Sequence, residues 1–392
     1  MRRLVAASSL ALASVLALSG SALAVPAGSG SGNTTDFYAV PDPLPAAKPG
    51  SLIRAARIAA PDGAKAWRVL YHSRAVDGRD IAVSGIVVAP TGKAPKSGRP
   101  VVSWAHGTTG IADVCAPSKN PTIAKEIPFV DDLVEAGYVV AATDYEGLGT
   151  PGVHPYLVGE SEGRSVLDAA RAARRVDGTA AGRDLLIAGH SQGGHAALFG
   201  GELADSYASE LRLHGVVAIA PAADLEVIFP AAAAIPQAAG FALMAAKGFQ
   251  AAYADADPAT VLAPEAVGAS VIVDQACVGE VIRQFAGSTT SIVAHDPLAV
   301  PPWPELLRAS SAGNRRAGAP LLVAQGAADR LVVPALTDAW VDKACALRDV
   351  VDYRVYDGAD HGSVVEAARS DVVDWVAARV DGDASRNTCP PP

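Results

Sequence analysis

Residues 184–199 read DLLIAGHSQGGHAALF, an apolar run that leads into a serine flanked by small residues. The run predicts a strand, and the glycines after it predict a sharp turn followed at once by a helix. At the centre, residues 189–193 match the pattern G-x-S-x-G, in which a strained turn presents a serine hydroxyl at the end of a strand. The N-terminus of the helix would direct free N–H groups at an oxyanion formed there. The segment therefore predicts a strand–turn–helix unit with Ser191 as the nucleophile.

A second match to the same pattern lies at residues 159–163, GESEG, and contains Ser161. The residues before this serine, GTPGVHPYLVGE, are interrupted by Gly and Pro and do not form a strand-like run. Glu160 and Glu162 would oppose a negative charge developing at Ser161. We expect this segment to begin a helix instead, with Ser161 or a neighbour as the N-cap.

Apolar strand-like runs alternate with helical patterns on both sides of Ser191. Because single helices separate most of these runs, the chain predicts an α/β fold, with a mostly parallel central sheet covered by helices on both faces. Residues 66–90 hold two β-rich runs around Asp77-Gly78, which predict a hairpin. Further predicted strands lie near 100–107, 138–149, 213–221, 320–326 and 352–362, and predicted helices include 126–137, 163–176 and 363–380.

The alternation stops between about residues 224 and 302. This segment, which includes VIFPAAAAIPQAAGFALMAAKGFQAAYADADP, is rich in alanine, prone to helix and free of strand patterns. It is typical of an inserted helical cap rather than of another strand–helix unit. We expect one α/β domain over residues 51–392 that carries this insertion.

The N-terminus has the pattern of an export signal. Two arginines precede an apolar stretch that is shorter than a membrane-spanning helix, and Ala22-Leu23-Ala24 fits the A-x-A cleavage pattern. Residues 1–24 are therefore predicted to be a signal peptide, and the protein is predicted to be secreted after cleavage near Ala24. Residues 25–50 are rich in Gly, Ser and then Pro, which predicts an irregular N-terminal arm.

The chain has four cysteines, and in an exported protein these are expected to form disulfides. Three pairings are open, of which we favour Cys115–Cys277 with Cys345–Cys389, because the last two share the C-terminal stretch. No C-x-x-C spacing occurs, so a zinc site is not predicted. The formal net charge of −9, without a Lys/Arg-rich run, argues against binding to nucleic acid.

A nucleophilic serine needs a base and a carboxylate that orients the base, and in chains with this turn the acid and then the histidine follow the serine. His361 comes directly after the last predicted strand and is the expected base, with His295 as the alternative. Asp329 follows the preceding strand and is the expected acid, ahead of Asp357. His195 and His214 fit a packing or surface role better. Asp338 falls within the next predicted helix, and Asp360 is too close in sequence to His361 to orient the far nitrogen of its ring easily.

An oxyanion hole combines the N–H of the residue after the nucleophile with one from a loop after an earlier strand. The first is Gln192. The loop is WAHGTTG, residues 104–110, in which Thr108 is the candidate and Thr109 stays open as its neighbour.

Several segments together resemble the secretory lipases of the α/β-hydrolase superfamily, the lipase A type found in fungi and actinobacteria. They are VVSWAHGTTGIADVCAPS, GYVVAATDYEGLGTPGVHPYLVGESEGRSVLDAARAAR, LLIAGHSQGGHAALFGGELA, LLVAQGAADRLVVP and YDGADHGS. The resemblance implies hydrolysis of carboxylic esters, above all acylglycerols, through an acyl-enzyme on Ser191 with His361 and Asp329 as base and acid. It implies a helical lid, the favoured disulfides, transient contact with a lipid surface, and no metal or organic cofactor.

Two other functions stay open at this level. The same Ser–His–Asp arrangement attacks amides and non-lipid esters, so a secreted peptidase or an esterase for short-chain, plant or polymer esters is an alternative. A hydrolase fold without activity, used for binding, is a third class.

Overall fold

The computed structural model describes residues 37–289 and 291–391. The predicted signal peptide and residues 25–36 of the predicted arm lie outside the described residues. The described part contains one nine-stranded sheet. Its strands are β1 Leu52–Ile58, β2 Ala64–Arg74, β3 Asp80–Pro90, β4 Arg99–Ala105, β5 Val139–Thr143, β6 Ala181–His190, β7 Arg212–Ile219, β8 Leu321–Gly326 and β9 Val351–Tyr356.

The strands lie in the order β1-β2-β3-β5-β4-β6-β7-β8-β9. The first three neighbouring pairs are antiparallel, and every pair from β5-β4 onward is parallel. The predicted hairpin is formed by β2 and β3, with Arg74 paired to Asp80. The predicted mostly parallel α/β sheet is thereby confirmed.

Helices lie between the strands and at the end of the described chain. They are α1 Ile123–Glu126, α2 Val130–Glu135, α3 Gly159–Ala173, α4 Gln192–Tyr207, α5 Leu225–Ala234, α6 Ala239–Ala252, α7 Pro264–Ala269, α8 Val278–Phe285, α9 Trp303–Ala309, α10 Pro334–Ala346, α11 Val364–Ala367 and α12 Arg369–Asp381. No helix in residues 37–289 or 291–391 is both long enough and apolar enough to cross a lipid bilayer.

The single helix predicted over residues 126–137 is wrong, because the segment is broken between α1 and α2. Pro128 restricts the residue before it to extended backbone, and Ile127 has φ −64° and ψ 123°. Phe129 follows with a positive φ of 63° and places its ring in the core. The predicted closing helix is likewise divided, at Ala368, into α11 and α12.

Strand β6, which leads to Ser191, is buried on both faces of the sheet. Leu185 and Ile187 belong to the core on one face, and Leu186 and Ala188 belong to the core on the other. Helices α3, α4 and α10 contribute to the first core, and α2 and α12 contribute to the second. The unbroken apolar run in the sequence is therefore the signature of a strand covered on both sides.

The Ala-rich segment between β7 and β8 folds into α5 to α9, which we call the helical insertion (residues 225–309). Its apolar core also includes Leu157 and Val158 from outside the insertion. In this core the ring of Trp303 stacks on Phe229 at 5.5 Å and packs against Phe249 at 6.1 Å. Because Trp303 belongs to α9, the packing of the insertion continues past residue 302.

Two disulfides join Cys115 to Cys277 and Cys345 to Cys389, the pairing favoured from the sequence. The first bridge connects the α/β part of the chain to the helical insertion, at the residue before α8. Next to it, the N–H of Val278 donates to the carbonyl of Thr109 at 2.8 Å. The bridge therefore ties the insertion to the loop that follows β4.

We expect loss of the Cys115–Cys277 bridge to reduce stability more than loss of the Cys345–Cys389 bridge. The bridges span 162 and 44 residues, and loop-closure entropy then favours the longer one by about 1 kcal/mol. Each double serine variant should lose about 2–5 kcal/mol in free energy of unfolding. Urea unfolding of both variants measures the losses, and a larger loss for the Cys345–Cys389 variant contradicts this account.

Candidate active site

Ser191 sits in a strained turn between β6 and α4. Its backbone has φ 59° and ψ −118°, a region that residues other than glycine rarely occupy. The N–H of Ser191 donates to the carbonyl of Ile219 at 2.9 Å, and its carbonyl accepts from Ala222 at 3.2 Å, so β7 and the residues after it hold the turn.

The glycines around the serine are required by close contacts between backbones. A Cβ on Gly193 would lie 1.9 Å from the carbonyl oxygen of Ala105, and one on Gly189 would lie 2.1 Å from that of Gly193. A side chain at either position would therefore push α4 away from the ends of β4 and β6.

The structure brings Ser191, His361 and Asp329 together. The Oγ of Ser191 lies 2.9 Å from Nε2 of His361, and Nδ1 of His361 lies 2.7 Å from Oδ2 of Asp329. Since Nδ1–H donates to the carboxylate, Nε2 is free to accept the serine proton. The three side chains form a continuous line of hydrogen bonds from the turn to a buried carboxylate.

Asp329 is held as an anion by several donors. Burial alone would raise the pKa of Asp329, but hydrogen bonds from His361 and from the backbone N–H groups of Leu331 and Val332 lower this pKa below its usual value. The two backbone bonds measure 2.8 and 3.0 Å, and the side-chain amide of Gln325 donates to Oδ2 at 3.2 Å. These contacts keep the acceptor for His361 in a fixed position.

The alternatives weighed in the sequence lie in other environments. His295 is exposed in the helical insertion, and Asp357 is exposed in the loop after β9. Asp338 accepts from the Tyr353 hydroxyl, while Asp360 accepts from the N–H groups of the two residues after His361. Two histidines have carboxylate partners elsewhere, His195 with Glu162 and His214 with Asp184.

His190, the residue before the serine, is a contact that sequence reasoning missed. Its Nε2–H donates to the backbone carbonyl of His361 at 2.7 Å, and the two rings lie 4.7 Å apart. Burial and the neighbouring His361 lower the pKa of His190 to about 4, so it is neutral near pH 7. The strand that delivers Ser191 thus also holds the loop that carries His361.

The loop after β4 lies next to the turn that carries Ser191. A Cβ on Gly107 would lie 3.7 Å from Cβ of Ser191. The next residue, Thr108, has its hydroxyl 2.7 Å from the hydroxyl of Tyr156. Gln192 is the first residue of α4, so its N–H has no partner within the helix. Gln192 follows Ser191 directly, and the loop that carries Thr108 and Thr109 approaches the same turn, with Thr109 tied to the insertion through its carbonyl.

Ser161 lies in the first turn of α3, a helix start as predicted. Val158 is at the N-cap and makes no side-chain cap, so the predicted capping role of Ser161 is wrong. The Ser161 hydroxyl is buried and donates instead to the Glu146 carboxylate at 2.6 Å. A tertiary partner therefore satisfies this serine, which a local helix signal does not reveal.

Among residues 37–289 and 291–391, no cluster of three His, Cys, Asp or Glu side chains could hold a metal ion. The groups next to Ser191 are a base, a carboxylate that holds the base, and the free N–H of Gln192 at the start of α4. This set of groups suits acyl transfer through a serine nucleophile.

A family model described as secretory lipase matches residues 114–387, which is most of the chain. The chain belongs to the secretory lipase family. This confirms the resemblance drawn from the sequence motifs.

Named lipases are similar to this chain in sequence, and a solved lipase structure is similar to it in fold. Lipase A of Moesziomyces aphidis is 25% identical over 194 residues, which are 46% of this chain and 41% of the relative. The secreted triacylglycerol lipase LIP7 of Malassezia globosa is 26% identical over 197 residues, with the same shares. The matches thus span about two fifths of the length of these relatives.

The closed-state structure of Candida antarctica lipase A has a TM-score of 0.77 at 20% identity, covering 90% of this chain and 87% of that one. The α/β-hydrolase fold is therefore confirmed.

We expect Gly193→Ala to destabilise the protein strongly, because the added Cβ would collide with the backbone of Ala105. Because the backbone is rigid and cannot relieve the collision, the free energy of unfolding should fall by about 3 kcal/mol or more. Gly268→Ala, in helix α7 with no atom within 4 Å of the added Cβ, is the matched control and should be neutral or slightly stabilising. Urea unfolding of both variants tests this, and equal stabilities would contradict the contact.

Proposed function

We propose that the protein is a secreted serine hydrolase that cleaves carboxylic esters, with triacylglycerols and related acyl esters as its substrates. The observation that carries the proposal is the hydrogen-bonded line from Ser191 through His361 to Asp329, on a turn of positive φ. Membership of the secretory lipase family supports the ester class and the location outside the cell. The two disulfides also fit an oxidising compartment, with signal cleavage near Ala24.

The proposed reaction is acyl transfer through a serine nucleophile. His361 Nε2 takes the proton as Ser191 Oγ attacks the ester carbonyl, and the N–H groups of Gln192 and Thr108 stabilise the resulting oxyanion. His361 then gives the proton to the departing alcohol, which leaves an acyl-enzyme on Ser191. A water that loses its proton to His361 hydrolyses the acyl-enzyme, and Asp329 orients the base throughout.

The apolar side chains of the helical insertion favour substrates with apolar acyl chains. A cavity of about 20 Å³ lies among apolar side chains of α5 and α6, including Leu225, Phe229 and Phe249, together with Leu157. This volume is too small for an acyl chain, so we propose that the insertion acts as a lid whose helices part on binding. Exposed apolar side chains on the insertion would meet a lipid surface, and they are Val227, Ile235, Val271, Ile282 and Leu298.

Hydrolysis of p-nitrophenyl esters from acetate to palmitate tests the function. We expect Ser191→Ala and His361→Ala to lower kcat by about 10⁴-fold or more, and Asp329→Ala to lower it strongly but less completely, because the acid only orients the base. Ser161→Ala and His295→Ala are the matched controls and should keep kcat within about threefold.

Activity that survives Ser191→Ala would contradict the nucleophile. Turnover of peptide substrates alone would favour the peptidase alternative, and turnover of short-chain or polymer esters without longer acyl esters would favour the non-lipid esterase. A wild-type protein that binds esters without cleaving them would favour a silent hydrolase fold.

We expect His190→Phe to lower kcat about tenfold, because it keeps the ring but removes the N–H that holds the carbonyl of His361. His214→Phe removes a hydrogen bond of 2.7 Å to Asp184, away from the contacts described for Ser191, and should leave kcat within about twofold. Steady-state kinetics on one ester measures both. An unchanged kcat for folded His190→Phe would show that this contact does not position the base.

A further inference from the structure

Glu162, in the second G-x-S-x-G segment, is a buried carboxylate that the proposed reaction does not use. It lies in the first turn of α3, and its side chain is 0% exposed. Two of its hydrogen-bond partners lie in the first turn of α4, the helix that begins directly after Ser191. A carboxylate removed from water in this way is unfavourable unless donors surround it.

Three donors converge on the Glu162 carboxylate. Oε1 accepts from the N–H of Leu157 at 2.9 Å and from the side-chain amide of Gln192 at 2.7 Å. Oε2 lies 2.8 Å from Nδ1 of His195, one helical turn after Gln192. Glu162 therefore accepts from two side chains of α4, Gln192 and His195, which lie on either side of Gly193-Gly194.

His195 extends the contact to the end of the helical insertion. Its Nε2 lies 2.7 Å from the backbone carbonyl of Ser310, just after α9, so that nitrogen must carry a proton. Oε2 of Glu162 and the carbonyl of Ser310 therefore hold the two nitrogens of the His195 ring from opposite sides.

The amide of Gln192 has only one acceptable orientation. Its Nε2 lies 2.7 Å from Glu162 and 2.9 Å from Nε2 of His154, whose Nδ1–H donates to the carbonyl of Glu146. Burial lowers the pKa of His154 to about 4, so its Nε2 is an acceptor near pH 7. A flipped amide would place oxygen against both acceptors, and the side chain is therefore locked.

We propose that Glu162 is a positioning residue, which acts through Gln192 to hold its backbone N–H toward the oxyanion formed at Ser191. The inference rests on the proposed function, in which that N–H is an oxyanion donor. A misdirected donor lowers the rate without abolishing substrate binding, because the donor matters most in the transition state.

The test compares Glu162→Met with Glu162→Gln in the full-length secreted protein. Methionine keeps the volume and removes the acceptors, so we expect kcat to fall about 10- to 100-fold with KM within about threefold. Glutamine can accept from Leu157 and Gln192 through oxygen and donate to Nδ1 of His195, so kcat should stay within about threefold of wild type.

Glu202→Ala is the matched control. Glu202 is a largely buried carboxylate on α4 that accepts from the N–H of Gly313, and it has no contact with Gln192 among the described hydrogen bonds. We expect it to change stability but to leave kcat within about threefold. An equal fall in kcat for Glu202→Ala would overturn the proposal, since the loss would then follow from any buried carboxylate on this helix.

The remaining outcomes separate this proposal from the proposed function. A folded Glu162→Met with wild-type kcat overturns the positioning role. If Glu162→Met does not fold, Gln192→Met replaces it, and an unchanged kcat there overturns the role as well. If wild type hydrolyses no ester, the proposed function fails, and the backbone amide NMR shift of Gln192 then decides. Positioning is supported if this amide shift changes more in Glu162→Met than in Glu162→Gln. An amide shift that is unchanged in Glu162→Met overturns it.

Discussion

The site depends on one close approach between backbones, where the start of α4 meets the end of β4. Gly193 lies so near the carbonyl of Ala105 that no Cβ fits. The close contact places the N-terminus of α4 against the edge of the sheet. Ser191, in the tight turn between strand and helix, has a φ of 59°. The strain is local, and the core on both faces of β6 is what maintains it.

The other reacting groups reach Ser191 because parallel strands end at the same edge of the sheet. In the order β6-β7-β8-β9, Asp329 follows β8 and His361 follows β9. Hydrogen bonds then fix the loops: two backbone N–H groups hold Asp329, and His190 holds the carbonyl of His361. Behind the turn, Glu162 and His195 connect α3, α4 and the end of the helical insertion.

Much of this could be predicted from the sequence, because alternation and strand order are local signals. The unbroken apolar run before Ser191, and the positions of Asp329 and His361 after late strands, were enough to bring the three residues together. Strand β1 was missed because it is a partly exposed edge strand with arginines and lacks a clear alternation. The amphipathic pattern of residues 126–137 predicts a continuous helix, but Pro128 interrupts it because a proline disfavours helical backbone at the residue before it.

The rest depends on contacts between distant segments. The hydrogen bond from His190 joins residues 171 positions apart, and Ser161 has its partner 15 residues earlier. From the local sequence, Glu162 is only a carboxylate close to the N-terminus of a predicted helix. Only the packing of α3 against α4 shows that it is buried and which donors it meets.

The central claim is that Ser191, and not Ser161, is the nucleophile activated by His361. Reaction with a fluorophosphonate, followed by peptide mapping in a mass spectrometer, tests it most directly. The account predicts a single adduct, on Ser191, that forms far more slowly in His361→Ala. An adduct on Ser161, or equal labelling of wild type and His361→Ala, would contradict it.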